Sequence, residues 1–141
     1  MWTRSEYDKI KHLLKDESIC PFCPKNRELQ ELLWEGKYWA ILYNKYPYLW
    51  LRKHLLVVPN SHVWLTAEIT PEEWIEMQEI EKWMYNFYEG KPYFSFIRQV
   101  GNMKSVKHMH YHYLPWEVDP KNIEEMLKLQ ISYNNENNWS L

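Results

Sequence analysis

Three histidines alternate along one short segment of the chain. His108, His110 and His112 are each separated by a single residue. In a β-strand alternate side chains point to the same face, about 6.6 Å apart per two-residue step. One histidine in a strand is usually packed or solvated, but three polar rings buried together need hydrogen-bond partners or a ligand. The pattern therefore indicates either metal binding or chemistry on an anionic group.

A cysteine pair near the start of the chain adds to the metal hypothesis. Cys20 and Cys23 have the two-residue gap of a metal knuckle, or of a redox pair. A thioredoxin-like pair expects a βαβ context with a helix right after the first cysteine, whereas prolines flank this motif, so we favour metal. A closed tetrahedral zinc site needs two more ligands. Because His54 follows too late for the short spacing of a zinc finger, folding must supply them, and His62 plus one histidine of the triad are the candidates.

Length and charge exclude several classes of protein. The 141 residues suit one domain, and 45% hydrophobic with 26% charged residues is a globular composition. Seventeen basic against nineteen acidic residues give a net charge of -2, which argues against a nucleic-acid partner. No apolar run approaches the ~20 residues of a membrane span, and the start turns charged too soon for a signal peptide. We expect a cytoplasmic protein with no membrane partner.

Basic residues near the histidines could still form a local positive rim. Ordinary solvated charge explains each of them equally well. The five are Arg52, Lys53, Arg98, Lys104 and Lys107.

The longest predicted helix spans 71–88. Thr70 is its cap, Pro71 occupies the first turn and Glu73 closes a capping box. Apolar residues spaced by 3, 4 and 3 form one stripe: Met77, Ile80, Met84 and Phe87. Gly90 ends the helix.

The remaining segments predict an antiparallel sheet with shorter terminal helices. The predicted strands are 32–34, 38–43, 55–58, 93–100 and 106–114, with a hairpin turn at 35–37 and a second turn near Gly101. The terminal helices are 5–15 and 120–131, and the Asn-rich tail 132–141 is loose. We therefore expect one α+β domain over 1–141, with a core at 20–115, about five strands and one long helix.

Together these motifs resemble the histidine-triad (HIT) family. Residues 105–115 resemble the family signature, in which three histidines alternate with apolar residues. Residues 54–62 look like its second block, a histidine, an apolar strand and Pro-x-x-His, and residues 20–23 are similar to the cysteine pair of its zinc-bearing members. The three blocks cover about residues 20–115 in the family's order and are far more specific together than alone.

The resemblance implies a role for each site residue. The middle histidine, His110, would be the nucleophile. A structural zinc ion would be held by four side chains: Cys20, Cys23, His62 and His108. Phosphate oxygens or the leaving group would be contacted by four others: His54, Asn102, Ser105 and His112. Asn44 would bind the ribose hydroxyls, and most members form homodimers in which two five-stranded sheets join.

The activity implied is a nucleotide hydrolase with a purine nucleotide or nucleotide conjugate as ligand. Attack by a neutral imidazole at the α-phosphorus of a nucleoside phosphoramidate or dinucleoside polyphosphate would give a covalent nucleotidyl-histidine intermediate. One alternative is a transferase resembling galactose-1-phosphate uridylyltransferase. That branch has Gln at the position of His112, although residues 20–26 resemble its cysteine segment. Another alternative is a nucleotide-binding module without turnover. The complete triad argues against it, because a protein that only binds nucleotides does not need a positioned nucleophile.

Overall fold

A five-stranded antiparallel sheet lies at the centre of the computed structural model. The structure describes residues 20–45, 47, 52–99, 108–117, 119, 121, 123–125, 127 and 128. The strands are β1 (Leu32–Glu35), β2 (Trp39–Tyr43), β3 (Leu55–Pro59), β4 (Tyr93–Ile97) and β5 (Tyr111–Pro115). Their spatial order is β1-β2-β3-β5-β4, and every neighbouring pair is antiparallel. The predicted α+β class and strand number are confirmed.

The central pair of strands brings two histidine segments side by side. β3 pairs with β5 in a register that sets Leu55 opposite Tyr113 and Leu56 opposite His112. His54 immediately precedes β3, so it arrives next to the third histidine of the triad. β3 is buried along its whole length, which explains why it is a continuous apolar run rather than an alternating one.

The one long helix of the described chain, α1 (Pro71–Phe87), begins at the predicted cap. The backbone N–H of Glu73 donates to the Thr70 hydroxyl at 3.3 Å, and the Thr70 N–H donates to the Glu73 carboxylate at 3.1 Å. The helix ends one residue earlier than predicted, and Gly90 has the left-handed φ of 69° that a glycine adopts without a steric penalty. Both ends therefore follow from local chemistry.

The two faces of the sheet carry different cores. The face under α1 packs the stripe residues Ile80 and Met84 against strand residues that include Trp39, Val57 and Tyr113. The opposite face packs alternate strand residues against the cysteine segment: Cys20, Phe22, Cys23, Ala40, Leu42, Leu56 and Val58. Alternation along the strands thus directs one set of side chains to the helix and the other set to the cysteine segment.

The predicted strand over 106–114 is wrong at its start. The observed strand begins at Tyr111, so His108 and His110 precede it, and residues 106–107 lie outside the described residues. The backbone N–H of Met109 donates instead to the Val63 carbonyl at 2.7 Å, in the loop after β3. Pro59 is the last residue of β3, and it has no backbone N–H that could continue the hydrogen bonding between β3 and β5. Similarly, β4 ends at Ile97 rather than at the predicted residue 100.

The described residues near the C-terminus include part of the predicted terminal helix. Residues 121, 123–125, 127 and 128 are helical, within the predicted span 120–131, and Lys128 pairs with Glu124 at 3.0 Å one turn away. The predicted helix 5–15, the turn near Gly101 and the tail 132–141 lie outside the described residues. Within the described part, no helix has the length and apolar character to cross a membrane.

Candidate active site

Four side chains predicted to bind metal meet at one end of the sheet. The ligand atoms of Cys20, Cys23, His62 and His108 all lie within 4.8 Å of one another. The cysteines precede the 3-10 helix Pro24–Leu29, His62 follows β3, and His108 precedes β5. Three segments far apart in sequence therefore contribute to one cluster, and neither cysteine is in a disulfide.

The spacing of these atoms fits a tetrahedral zinc ion. Zinc–sulfur and zinc–nitrogen bond lengths imply ligand separations of about 3.4 Å between two nitrogens and about 3.6 Å between nitrogen and sulfur. The Nδ1 atoms of His62 and His108 are 3.2 Å apart, and the His108 Nδ1 lies 3.5 Å from the Cys20 sulfur and 3.6 Å from the Cys23 sulfur. The Cys23 sulfur and the His62 Nδ1, 3.2 Å apart, are closer than the separation expected between nitrogen and sulfur, so the side chains would have to shift slightly for the cluster to hold the ion.

The tautomer of His108 is fixed by a backbone carbonyl. Its Nε2–H donates to the Pro59 oxygen at 2.8 Å, because a carbonyl oxygen can only accept. In the neutral ring the lone pair then lies on Nδ1, which faces the cluster. Burial lowers the pKa of His108 to about 3, so the ring is neutral at pH 7 and ready to bind metal.

Arg27 is a buried cation beside this cluster that the sequence did not single out. Only 5% of it is exposed, and its guanidinium donates to the Asn60 side chain at 2.6 Å and to the Glu35 carboxylate at 3.2 Å. It also reaches the backbone oxygens of Phe22 at 3.3 Å and of Pro59 at 3.5 Å. The Pro59 carbonyl thus accepts from both Arg27 and His108. This arginine ties the cysteine segment to the end of β3.

The middle histidine of the triad has its ring held from behind. His110 Nδ1 lies 2.8 Å from the backbone oxygen of His108, so Nδ1 carries the proton and donates it. In the neutral ring the lone pair is then on Nε2. Phe22, between the two cysteines, packs against the His110 ring with centroids 5.1 Å apart. His110 is partly exposed, while the other two triad rings are buried.

The third histidine of the triad is bonded to the histidine that precedes β3. His54 Nε2 and His112 Nδ1 are 2.8 Å apart, so one ring donates and the other accepts. Burial is the main cause that lowers the pKa of His54 to about 3 and the pKa of His112 well below its usual value. Both rings are therefore neutral at pH 7. Phe96 stacks on His112, with centroids 4.8 Å apart and planes 9° apart.

Two of the predicted substrate-binding residues, His54 and Asn44, contact each other next to His112. His54 is 1% exposed and lies one ring behind His112, so its direct contact with phosphate stays a prediction. Asn44 places its amide nitrogen 3.3 and 3.2 Å from the two ring nitrogens of His54, and its ribose role also stays a prediction. Asn102 and Ser105 lie outside the described residues.

Sequence reasoning missed both phenylalanines that pack on the triad rings. Phe22 lies inside the cysteine motif, between Cys20 and Cys23, and Phe96 lies in β4 opposite His112. The strand alternation of β4 was the signal that could have placed Phe96 on the histidine face. Arg27 had no comparable signal, because its partners come from three segments.

Comparison with solved structures identifies the fold. The sequence matches no family model, and no curated protein matches it. A hypothetical histidine triad nucleotide-binding protein from Sulfolobus tokodaii is 26% identical with a TM-score of 0.57, over 71% of each chain. A histidine triad protein from Clostridium difficile is 20% identical with a TM-score of 0.57, over 74% of this chain and 96% of that one. Diadenosine triphosphate hydrolase from Plasmodium falciparum is 23% identical with a TM-score of 0.54, over 78% and 79%.

The sheet and its histidine cluster therefore define a chain with the histidine-triad fold. The family resemblance of the three motifs is confirmed at the level of that fold, which many solved histidine-triad structures share. The motif residues that the structure describes lie together at one end of the sheet. The cluster of two cysteines and two histidines is a site able to hold a metal ion.

Proposed function

We propose that this chain is a nucleotide hydrolase that attacks the α-phosphorus of its substrate through His110. The observation that carries the proposal is the hydrogen bond from His110 Nδ1 to the His108 carbonyl, which leaves the lone pair of the neutral ring on Nε2. An imidazole held in this way is oriented for nucleophilic attack. The Plasmodium falciparum neighbour is a diadenosine triphosphate hydrolase, which supports a nucleotide substrate of this kind.

The reaction has two displacements. In the first, Nε2 of His110 forms a bond to phosphorus and the bond from phosphorus to the leaving oxygen or nitrogen breaks, with the electron pair departing on the leaving group. In the second, water attacks the same phosphorus from the side vacated and releases a proton to solvent, the phosphorus–nitrogen bond breaks, and a nucleoside monophosphate is released with the lone pair restored to Nε2. Each step is easier than one direct attack by water.

The neutral pair behind the nucleophile supplies a donor for phosphate. If His54 Nε2–H donates to His112 Nδ1, then His112 keeps its own Nε2–H for a phosphate oxygen. The reverse order would present a lone pair to an anion, so catalysis requires the first. His54 therefore acts by setting the tautomer of His112, and Phe96 holds that ring flat. Preset donors of this kind stabilise the charge that develops on the transferring group.

We propose zinc as the metal of the cysteine and histidine cluster, with a structural role. Its ligands would be Cys20, Cys23, His62 and His108, which fill all four positions of a tetrahedron. When bound, the ion would fix the cysteine segment, and with it Phe22, against the strands that carry the triad. Reduced thiols are needed as ligands, which supports a cytoplasmic location.

The zinc proposal is tested by metal analysis and one substitution. The purified protein should contain about one zinc per chain. Cys23→Ser should lower the melting temperature strongly. At saturating zinc it should have a much smaller effect on the rate of catalysis. Metal-free protein with unchanged melting and unchanged activity would refute the assignment.

The hydrolase proposal is tested with AMP-morpholidate and diadenosine polyphosphates. Wild type should release AMP and show a transient mass increase of one nucleotidyl group, and His110→Ala should show neither. The variant must keep the melting temperature and zinc content of wild type, so that lost turnover is not lost folding. Transfer of the labelled group to a sugar phosphate rather than to water would identify a transferase. Nucleotide binding without turnover on either substrate would refute catalysis.

We also propose a homodimer that binds purine nucleotides. β4 is an edge of the described sheet, so its outer backbone groups could pair with a second copy. Sedimentation should give about twice the chain mass, and a monomer at micromolar concentration would contradict the dimer.

The preference for purine nucleotides is tested by thermal melts. AMP should raise the melting temperature more than UMP does at equal concentration, and equal shifts would contradict the base preference.

A further inference from the structure

Arg98 lies directly beyond β4, on the side of the sheet that carries the triad. The register of β4 and β5 pairs Phe96 with His112 and Ile97 with Tyr111. Arg98 directly follows Ile97 at the end of β4, and His110 directly precedes Tyr111 at the start of β5, so the two residues lie at the same end of the paired strands. The guanidinium carbon lies 6.0 Å from the centre of the Phe96 ring, which itself stacks on His112.

The positive charge of Arg98 lowers the pKa of both buried imidazoles, His54 and His112. For both rings burial is the largest cause and the charge of His110 comes next, and Arg98 adds to them in the same direction. Because both of those rings are neutral, they offer dipoles rather than charge to an anion. Arg98 supplies a permanent positive charge beside them.

Dinucleoside polyphosphates and phosphoramidates differ in the charge of their leaving group. A dinucleoside polyphosphate expels a nucleoside oligophosphate, which carries several negative charges. A phosphoramidate such as AMP-morpholidate expels an uncharged amine after its bridging nitrogen has been protonated. The α-phosphate bonded to His110 is common to both. A cation that acts on the leaving group therefore discriminates between them, and a cation that acts on the α-phosphate does not.

We propose that Arg98 is a substrate-binding residue that selects oligophosphate leaving groups over amine leaving groups. The proposal rests on the proposed function, which supplies the cleaved bond. The Arg98 guanidinium lies by Phe96, whose ring stacks on His112, and from there we expect it to contact the phosphate that is joined to the attacked phosphorus through one bridging oxygen. A charge-assisted contact with that phosphate strengthens as the leaving group gains charge.

The test compares two substrates across three variants. Arg98→Gln should lower kcat/KM for diadenosine triphosphate about 10- to 100-fold, the range expected for one charged hydrogen bond, and for AMP-morpholidate less than about threefold. Arg98→Lys should recover part of the lost rate because it keeps the charge. Lys82→Gln, an exposed charge on α1 across the sheet, is the matched control and should change neither substrate.

Each outcome decides the proposal. A loss confined to diadenosine triphosphate supports it, and equal losses on both substrates, or no loss on either, overturn it. If wild type cleaves neither substrate, the proposed function fails. In that case the contact between Arg98 and the second phosphate is tested by measuring binding. Arg98→Gln should weaken the binding of ADP about tenfold and leave the binding of AMP unchanged. Equal weakening of both nucleotides, or of neither, would overturn it.

Discussion

Replacing Arg27 by methionine tests how the cysteine segment is fixed to the sheet. Methionine has a similar length and no charge, so Arg27→Met removes the hydrogen bonds while keeping most of the volume. Arg27 is 5% exposed, and burial lowers the pKa of its guanidinium against the opposing effect of Glu35. Part of the loss in unfolding free energy is therefore offset, because the variant has no charge that must be transferred from water into the protein interior.

The contacts of Arg27 set the size of the effect. The ion pair with Glu35 contributes little, about 0–1 kcal/mol, because half of that glutamate is exposed. The 2.6 Å bond to the Asn60 oxygen is the strong one, in the range of about 1.5–3 kcal/mol for a charged donor. The bonds to the oxygens of Phe22 and Pro59, at 3.3 and 3.5 Å, are long and add less. We expect Arg27→Met to cost about 2–3 kcal/mol of unfolding free energy.

Urea denaturation of zinc-loaded protein measures this loss, and competition with a chelator measures zinc affinity. Affinity should fall about tenfold, because the Pro59 carbonyl that orients His108 loses its second partner. Arg52→Met is the matched control, since Arg52 is exposed, and it should change neither quantity by more than about 0.5 kcal/mol. Unchanged stability and zinc affinity in Arg27→Met would refute this account of the cysteine segment.

Three further predictions concern the core and the helix ends. In metal-free protein, the unfolding free energy should fall as pH drops from about 6.5 toward 3, by up to about 1.4 kcal/mol per pH unit for each of His54, His108 and His112. The native rings stay neutral there while the unfolded chain takes up protons, and a flat urea-denaturation profile would contradict this. Gly90→Ala should cost about 1–2 kcal/mol in thermal melts, since φ is 69° and the new Cβ would lie 3.3 Å from the Tyr85 hydroxyl; an unchanged melt would contradict it. Thr70→Ala should cost about 1 kcal/mol and Thr70→Ser much less, and equal losses would exclude the capping bond.

The helix and the strand pattern could be predicted because their determinants are local. The cap of α1, its apolar stripe and its terminal glycine are set by residues a few positions apart. The start of β5 could not be predicted in this way, since the Met109 N–H bonds to Val63, which lies 46 positions earlier. A periodic sequence shows which face a side chain takes, but it does not show where a ladder loses its partner.

The site divides along the same line. From residue types and spacing alone, the partners of the cysteine pair stayed open, and the family resemblance selected His62 and His108. The structure then brought those four side chains together at distances that allow them to hold a metal ion. No spacing rule could have assigned Arg27, because its contacts exist only once separate segments are packed. Strand alternation could have placed Phe96 on the histidine face, but its stacking on His112 depends on the pairing of β4 with β5.

The sequence by itself determined the chemical inventory of this protein: three alternating imidazoles, a cysteine pair and the local elements that carry them. The tertiary structure alone decided which nitrogen of each ring faces the site. His108 and His110 take their tautomers from backbone carbonyls, and His54 and His112 are neutral because they are buried against each other. Proton positions depend on burial and on partners brought from distant segments, and a linear pattern of residues specifies neither.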